Sequence, residues 1–360
     1  MDSSDIVING KNFSYDQIIN NSFDATSDFE HSTLEFCHDW LTDKKQFTLQ
    51  TSGSTGTPKK ITFSRDQMVA SARMTEAALG LQEGDTALVC LDTKYIAGQM
   101  MLVRSFVTGM NINASEPSSN PFTSTDINQK IDFVALVPYQ LQAILEANPE
   151  QLDEVRVVII GGAPIGSSLK ERLKAVKCEI YATYGMTETL SHIGLMKLNG
   201  SNPEDYFTAL PEVEIEKDER GCLVIKTDFL SESVITNDLV DLKESNQFKW
   251  LGRWDNIINT GGVKVIPEKI EKQLEEIFRL CDINSRFFIN GFPDTNLGQK
   301  VCLLIESPPF EEDILLNLQS EMKAGLSKYE IPREIKFLKS FEETETGKIN
   351  RAKTNNLFPA

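Results

Sequence analysis

Thr51-Ser-Gly-Ser-Thr-Gly-Thr-Pro-Lys-Lys60 gathers hydroxyls, glycines and ammonium groups into one short run, directly after the apolar strand candidate Phe47-Thr-Leu49. Gly53 and Gly56 admit positive φ and let backbone N–H groups face a ligand, while Thr51, Ser52, Ser54, Thr55 and Lys59 supply further donors. That is the chemistry of a loop that grips a phosphate. A Walker A loop ends in Gly-Lys-Ser/Thr, whereas the second glycine here is followed by Thr-Pro-Lys, so an ordinary P-loop is excluded and another nucleotide family is indicated. A surface turn would share this composition; the segments further along decide between the two.

Tyr184-Gly-Met-Thr-Glu-Thr189 sets an aromatic ring, a hinge glycine, a hydroxyl and a carboxylate side by side, a set suited to a purine, an α-phosphate and a magnesium ion, which prefers hard oxygen ligands. Gly161-Gly-Ala-Pro164 directly follows an apolar strand candidate, where backbone rather than side chain would meet a ligand. Gly252-Arg-Trp-Asp-Asn-Ile-Ile-Asn-Thr-Gly-Gly262 and Thr346-Gly-Lys-Ile-Asn-Arg351 follow in that order.

Together these motifs resemble the adenylate-forming family of acyl-CoA synthetases, luciferases and peptide-synthetase adenylation domains, from about Phe47 to the C-terminus. The resemblance implies ATP, Mg2+ and CoA as cofactor or substrate, and two steps, in which a carboxylic acid forms an acyl-adenylate and then a thioester. Thr51, Ser52, Gly53, Ser54, Thr55, Gly56 and Lys59 would bind the phosphates; Tyr184 would pack on adenine, with Gly185 beside it, and Gly161, Gly162 and Ala163 would line its other face. Thr187 would bind phosphate and Glu188 magnesium. Thr236-Asn-Asp238 resembles the family's Thr-Gly-Asp, giving Asp238 the ribose hydroxyls, although Asn237 departs from the glycine. Arg253 would contact ribose, Asp255 would be the hinge, and Gly261, Gly262 and Lys264 would meet CoA. Lys348 would bridge the acid carboxylate and the α-phosphate, where a fixed ammonium stabilises charge developing during attack.

Leu91-Asp-Thr-Lys-Tyr-Ile-Ala-Gly98 aligns with the family's acyl-pocket segment, with tyrosine at 95 and alanine at 97 replacing the usual histidine and serine. Tyr95, Gly98, Arg104 and His192 are candidates for shaping that pocket, or for plain packing. The phosphate loop stands earlier than in most of the family, which implies a shortened N-terminal part. Compact members with Gly-Gly-Ala-Pro and Tyr-Gly-Met-Thr-Glu-Thr resemble the 2-succinylbenzoate:CoA ligases of menaquinone biosynthesis. The same motifs serve other small aryl- or acyl-CoA ligases and enzymes that adenylate for a carrier-protein thiol, and a nucleotide-binding protein without turnover is the different-class alternative.

The implied fold is α/β: a large N-terminal domain over 1–254 with mainly parallel sheets, carrying the nucleotide and acyl sites, and a small mobile α+β domain over 255–360 carrying the lysine. The elements agree with it. Ser64-Arg-Asp-Gln67 reads as a capping box opening a helix that runs to Gly80. Apolar runs at 87–91, 133–137 and 155–160 read as buried strands, the last two followed by helical patterns at 139–147 and 167–176, and such alternation implies a parallel sheet. Pro267 opens a helix through Phe278, and 301–305 reads as a strand; 114–126 and 199–205 read as surface loops.

The chain has 360 residues, of which 40% are hydrophobic and 25% charged, enough for two domains with a sizeable core. Six cysteines without a CxxC pair suggest neither zinc nor disulfides and fit a reduced, cytoplasmic setting. Met-Asp-Ser-Ser-Asp lacks the basic-then-apolar pattern of a secretory leader and no apolar run approaches about 18 residues, so neither secretion nor membrane spanning is expected. A net charge of −17 argues against nucleic acid or anionic membrane as partners. ATP and CoA are polyanions too, so their capture would rest on local donors such as Lys59, Lys60, Arg253, Lys264 and Lys348. His31, Glu35 and His38 read as an amphipathic helix surface rather than a metal site, and a homodimer is left open.

Overall fold

The computed structural model describes residues 5–50, 60–123, 130–344 and 349–358. Six strands lie parallel and adjacent, in the spatial order Glu179–Gly185, Val157–Ile160, Phe133–Leu136, Thr86–Val89, Asn111–Ala114 and Asp5–Ile8, with Lys11–Ser14 antiparallel at that edge. The central strands are apolar along their whole length because helices cover both faces. Alternate residues of one strand feed different cores: Phe133 and Ala135 face one side with Met68, Ala72 and Met100, and Val134 and Leu136 face the other with Leu141 and Leu173.

Beyond Glu179–Gly185 the sheet turns antiparallel through His192–Lys197, Phe207–Ala209, Gln247–Arg253, Val234–Glu244, Cys222–Thr227 and Val213–Lys217. The parallel half is the half the sequence announces; the antiparallel half lacks the intervening helices that would have signalled it. Helix Arg65–Leu79 starts where the capping box places it, with the Ser64 hydroxyl accepting from Gln67 N–H and the Gln67 side chain accepting from Ser64 N–H, and ends at Gly80 in the left-handed conformation. Helix Pro138–Ala147 also agrees. Helix Ser167–Leu173 stops short of Val176 because its last turn tightens, Lys174 N–H bonding to Glu171 O and Val176 N–H to Leu173 O.

The stretch after Ala114 is more buried than a surface loop: Ser115, Asn120 and Phe122 are enclosed, and the Asn120 carboxamide oxygen accepts from Phe122 N–H. Asn199 is also buried, its amide donating to Val176 O and Cys178 O.

A second sheet, Val263–Val265, Ile258–Thr260, Gly298–Glu306, Phe287–Asp294 and Glu334–Leu338, packs with helices Pro267–Leu280 and Glu312–Gly325 around its own core of Ile258, Ile270, Leu274, Ile289, Leu303 and Leu318. It meets the large sheet where Gly252, at φ +154°, presents its bare α-carbon to Ile266 and Glu268; a Cβ there would sit 2.5 Å from both side chains. No helix among the described residues is long and apolar enough to cross a membrane.

Candidate active site

The C-terminal ends of the parallel strands open toward the motif residues. At the end of Val157–Ile160, Gly161 lies so close to Thr183 that a Cβ would be 2.6 Å from its hydroxyl, and Gly162 takes φ +88°. Backbone, not side chain, therefore forms this turn, as the sequence suggests. Tyr184, on the neighbouring strand Glu179–Gly185, packs edge-on against Phe248, with ring centroids 4.9 Å apart, and its hydroxyl donates to Asp238 Oδ2 at 2.6 Å. Burial and the adjacent Asp238 charge hold the phenol well above its ordinary range.

Asp238 is nearly enclosed. Its other oxygen accepts from Trp250 Nε1 at 3.1 Å, and Arg253 Nη1 stands 3.6 Å from the same oxygen. Strand pairing sets Asp238 directly opposite Arg253. Arg253 in turn donates to Asp255 Oδ2 at 2.8 Å; burial opposes its charge, but Asp255 and Asp238 outweigh that and raise its pKa. Asn237 has a specific place. It accepts from Arg220 at 2.7 Å and donates to Asp255 at 3.3 Å, so the residue that departs from the family glycine ties strand Val234–Glu244 to the segment bearing Asp255. Trp250 and Arg220 were not singled out in the sequence; Trp250 sits on the paired strand, a separation no local motif records.

After Tyr184 the chain makes a tight turn. Gly185 is required there, since a Cβ would lie 2.4 Å from His192 Cα and from Ser191 O on the paired strand. Thr187–Thr189 forms one 3-10 turn, pinned by the buried Thr189 hydroxyl, which accepts from Met186 N–H at 3.1 Å, and it ends on Leu190 at φ +65°. Glu188 stands exposed on this turn, with no hydrogen bond or ion pair among the described residues. A free hard oxygen donor of this kind fits magnesium.

Beneath that turn lies a buried polar cluster. Arg104 Nε donates to the Thr75 hydroxyl at 3.2 Å, and Nη2 donates to the Ser191 hydroxyl at 2.6 Å and to His192 Nδ1 at 3.3 Å. A guanidinium can only donate, so His192 carries its proton on Nε2 and donates to Thr75 Oγ1 at 3.1 Å. Burial, reinforced by Arg104, pushes His192 well below the usual histidine range, so it is neutral at physiological pH. Burial also lowers the Arg104 pKa, to about 9, and no carboxylate among the described residues is paired with it. Thr75 and Ser191 were missed as members; neither belongs to a recognisable motif.

The remaining candidates are dispersed. Tyr95 is exposed at the N-terminal end of helix Ile96–Thr108. Gly98 serves close packing, since a Cβ would meet Asp92 O at 2.5 Å. Gly261 and Gly262, both at positive φ, turn the hairpin between Ile258–Thr260 and Val263–Val265, and Lys264 Nζ lies 4.7 Å from the Trp254 ring centroid. On helix Asp28–Leu41, His31 and Glu35 are exposed, while His38 Nε2 bonds the Asn21 amide at 3.2 Å.

The phosphate segment 51–59 and Lys348 lie outside the described residues; their flanks do not. Gln46–Gln50 pairs with Lys60–Ser64 on either side of 51–59, and a Glu343–Ile349 bridge brings together the two sides of 345–348. Arg351 then anchors the C-terminal motif, donating to Glu271 Oε2 at 2.7 Å and to Ile289 O at 3.1 Å.

Residues 42–224 match the model of the family described as AMP-binding enzyme. A crystal structure of an acyl-CoA synthetase (AMP-forming)/AMP-acid ligase II-like protein from Dyadobacter fermentans is 40% identical, covers 94% of this chain and 97% of its own, and superposes with a TM-score of 0.63. The chain belongs to the AMP-binding enzyme family. A 2-succinylbenzoate–CoA ligase of Listeria monocytogenes is 25% identical over 358 residues, covering 92% of this chain and 74% of the relative. One from Geobacillus is 26% identical, covering 91% and 72%. The Bacillus subtilis O-succinylbenzoate coenzyme A synthetase, solved with ATP and magnesium, shares 21% identity and a TM-score of 0.70 over 86% of this chain and 69% of its own; at that identity the likeness is one of fold. This family member thus has the expected α/β fold, with the mixed sheet described above.

Proposed function

We propose that the protein is an ATP-dependent acid:CoA ligase: a carboxylate attacks ATP to give an acyl-adenylate and pyrophosphate, and the CoA thiolate then displaces AMP to give the thioester. The observation that carries this reading is that Tyr184, Asp238 and Arg253, from three separate motifs, meet in one cluster, Tyr184 hydrogen-bonded and Arg253 ion-paired to Asp238. Each Asp238 oxygen keeps a second lone pair after bonding Tyr184 or Trp250, leaving one acceptor for each ribose hydroxyl. Arg253 would approach the same ribose, and the 161–163 turn would face adenine across from Tyr184.

Segment 51–59 and Thr187 would hold the phosphates, Glu188 would hold magnesium, and Lys348 would meet the carboxylate and the α-phosphate. Bound magnesium would offset phosphate charge. Little covalent chemistry falls to the protein; positioning and fixed charge do the work. Asp255, tied to Arg253 and Asn237, would be the hinge about which a small domain, 255–360, swings to exchange Lys348 for Gly261 and Gly262, with Lys264 beside the CoA arm.

For the acid we propose 2-succinylbenzoate, as the names of the Listeria and Geobacillus relatives suggest. Arg104 supports an acid with a second carboxylate: it is a buried guanidinium whose described side-chain partners are all neutral, and a buried charge gains most from an opposite one. His192, which accepts from Arg104, would border the same pocket, and Tyr95 and Gly98, at the start of the helix that carries Arg104, would lie toward its mouth. Six free cysteines fit a reducing cytoplasm.

The test is pyrophosphate release with ATP and magnesium across a panel of carboxylic acids, repeated with CoA while thioester is followed by mass. Selective turnover of 2-succinylbenzoate, lost in Arg104→Met with monocarboxylic acids unaffected, is expected. Turnover of other acids alone would replace the substrate, and pyrophosphate release unaffected by any carboxylate would overturn the ligase.

A further inference from the structure

The turn Trp254–Asn256 joins strand Gln247–Arg253 of the large sheet to strand Ile258–Thr260 of the small one, and each of its three residues is tied to a side chain outside it. Asn256 is held from ahead, its amide donating to Glu268 Oε1 in the first turn of helix Pro267–Leu280. Asp255 is held from behind. Its Oδ2 accepts from Arg253 Nη2 at 2.8 Å and from Asn237 Nδ2 at 3.3 Å, both on strands of the large sheet. Trp254 meets cations from both directions in the chain, the Arg220 guanidinium 5.9 Å and the Lys264 ammonium 4.7 Å from its ring centroid. The passage from one sheet to the other therefore falls between 255 and 256.

Asn237 is the informative member. Its Oδ1 accepts from Arg220 Nη1 at 2.7 Å, and Arg220 is itself fixed, Nε donating to Asp218 Oδ2 at 2.8 Å and Nη2 to Thr236 O at 2.9 Å. With its oxygen turned to a guanidinium, which can only donate, the carboxamide presents its NH2 to Asp255, so its orientation is set. A glycine at 237 could make neither bond. Rotation about φ of residue 255 carries its side chain along, so the backbone there cannot turn in that sense while the carboxylate stays on Asn237 and Arg253.

We infer that Asn237, oriented by Arg220, is a positioning residue that braces Asp255, and that releasing this brace is part of the movement between adenylation and thioester formation. The inference rests on the ligase reading and on its hinge at Asp255. The brace belongs to this chain rather than to the motif it resembles, which carries glycine at this place, and it sets how readily the small domain leaves the position seen in the structure.

The test compares Asn237→Gly with Asn237→Asp in the full chain. Glycine loses both bonds, whereas aspartate keeps the bond from Arg220 and sets a second carboxylate against Asp255. If Asn237 only anchored its strand to Arg220, the aspartate variant would behave as the unaltered protein; a brace on Asp255 makes it behave as the glycine variant. The ratio of the two half-reaction rates, acid-dependent pyrophosphate exchange against thioester formation from supplied acyl-adenylate, is expected to shift about three- to tenfold and in the same direction in both variants, with KM for ATP unchanged. An unaltered ratio, a shift in the glycine variant alone, or a rise in KM for ATP that accounts for the shift would overturn the assignment. Hydrogen exchange across 250–260, read by mass, requires no turnover: the Ile257 N–H, bonded to Trp254 O at 3.2 Å, should exchange about three- to tenfold faster in both variants. Unchanged exchange sinks the brace, whereas faster exchange in a chain that makes no thioester would sink the ligase reading alone.

Discussion

Asp238 offers a direct separation of architecture from nucleotide binding. Asp238→Ala leaves the Tyr184 hydroxyl and the Trp250 indole N–H without their acceptor in a nearly enclosed place. Each orphaned donor costs about 1–3 kcal/mol, so the variant should lose about 2–6 kcal/mol, or, at about 2 °C per kcal/mol in a chain of this size, about 4–12 °C in Tm. Asp238→Asn keeps the shape. Its carbonyl can still accept from Trp250, and its amide can donate to the Tyr184 oxygen once the phenol proton turns away, so stability should fall by no more than about 1 kcal/mol. What the asparagine cannot supply is an anionic acceptor for two ribose hydroxyls. Losing a hydrogen bond to a charged group costs about 1.5–3 kcal/mol, which predicts KM for ATP raised about 10- to 100-fold. The assays are acid-dependent pyrophosphate exchange against ATP concentration, and thermal unfolding. An asparagine variant with unaltered KM for ATP, or one as unstable as the alanine variant, would refute the assignment of Asp238 to ribose.

Lys348→Ala should slow adenylation by about 10² or more while sparing thioester formation from supplied acyl-adenylate; equal loss in both half-reactions would remove its role. His192 binds a proton when unfolded but not in the fold below its ordinary pKa of about 6.5, so stability should decline as pH falls through that value. Denaturant unfolding from pH 7.5 to 5 should show this, with a shallower slope in His192→Gln. Gly185→Ala would set a methyl against His192 Cα and Ser191 O, both backbone, and should cost about 1–3 kcal/mol of stability and most of the turnover; a variant with full Tm and activity would show that the turn yields more readily than its geometry implies.

Legibility in the sequence followed locality. The capping box at Ser64, the apolar runs of the parallel strands and the glycine turn at 161–162 each arise from neighbours in the chain, and each could be read directly. The Asp238 cluster was legible residue by residue through its motifs, but Trp250, which completes it, joins by strand pairing. The Arg104 cluster unites helix Arg65–Leu79, helix Ile96–Thr108 and the turn at 191–192. Of these, Arg104 and His192 could be guessed from their position near motifs; Thr75 was legible only as part of the helix face shared with Met68, Ala72 and Leu79, and nothing marked Ser191. In the antiparallel half, Val213–Lys217 alternates apolar and charged residues cleanly over only five positions, whereas Val234–Glu244 mixes the two without a clean period, and no helix intervenes to mark the strands off.

Gly252 carries a consequence for attempts to recombine this family. The bare α-carbon lies on one side of the seam between the two sheets, and Ile266 and Glu268, which occupy the space a side chain would fill, lie on the other. A chimera that takes its C-terminal segment from a relative inherits one half of this fit and supplies the other itself. A crossover placed between 252 and 266 therefore splits a single steric unit, whereas one placed before 252 moves lock and key together.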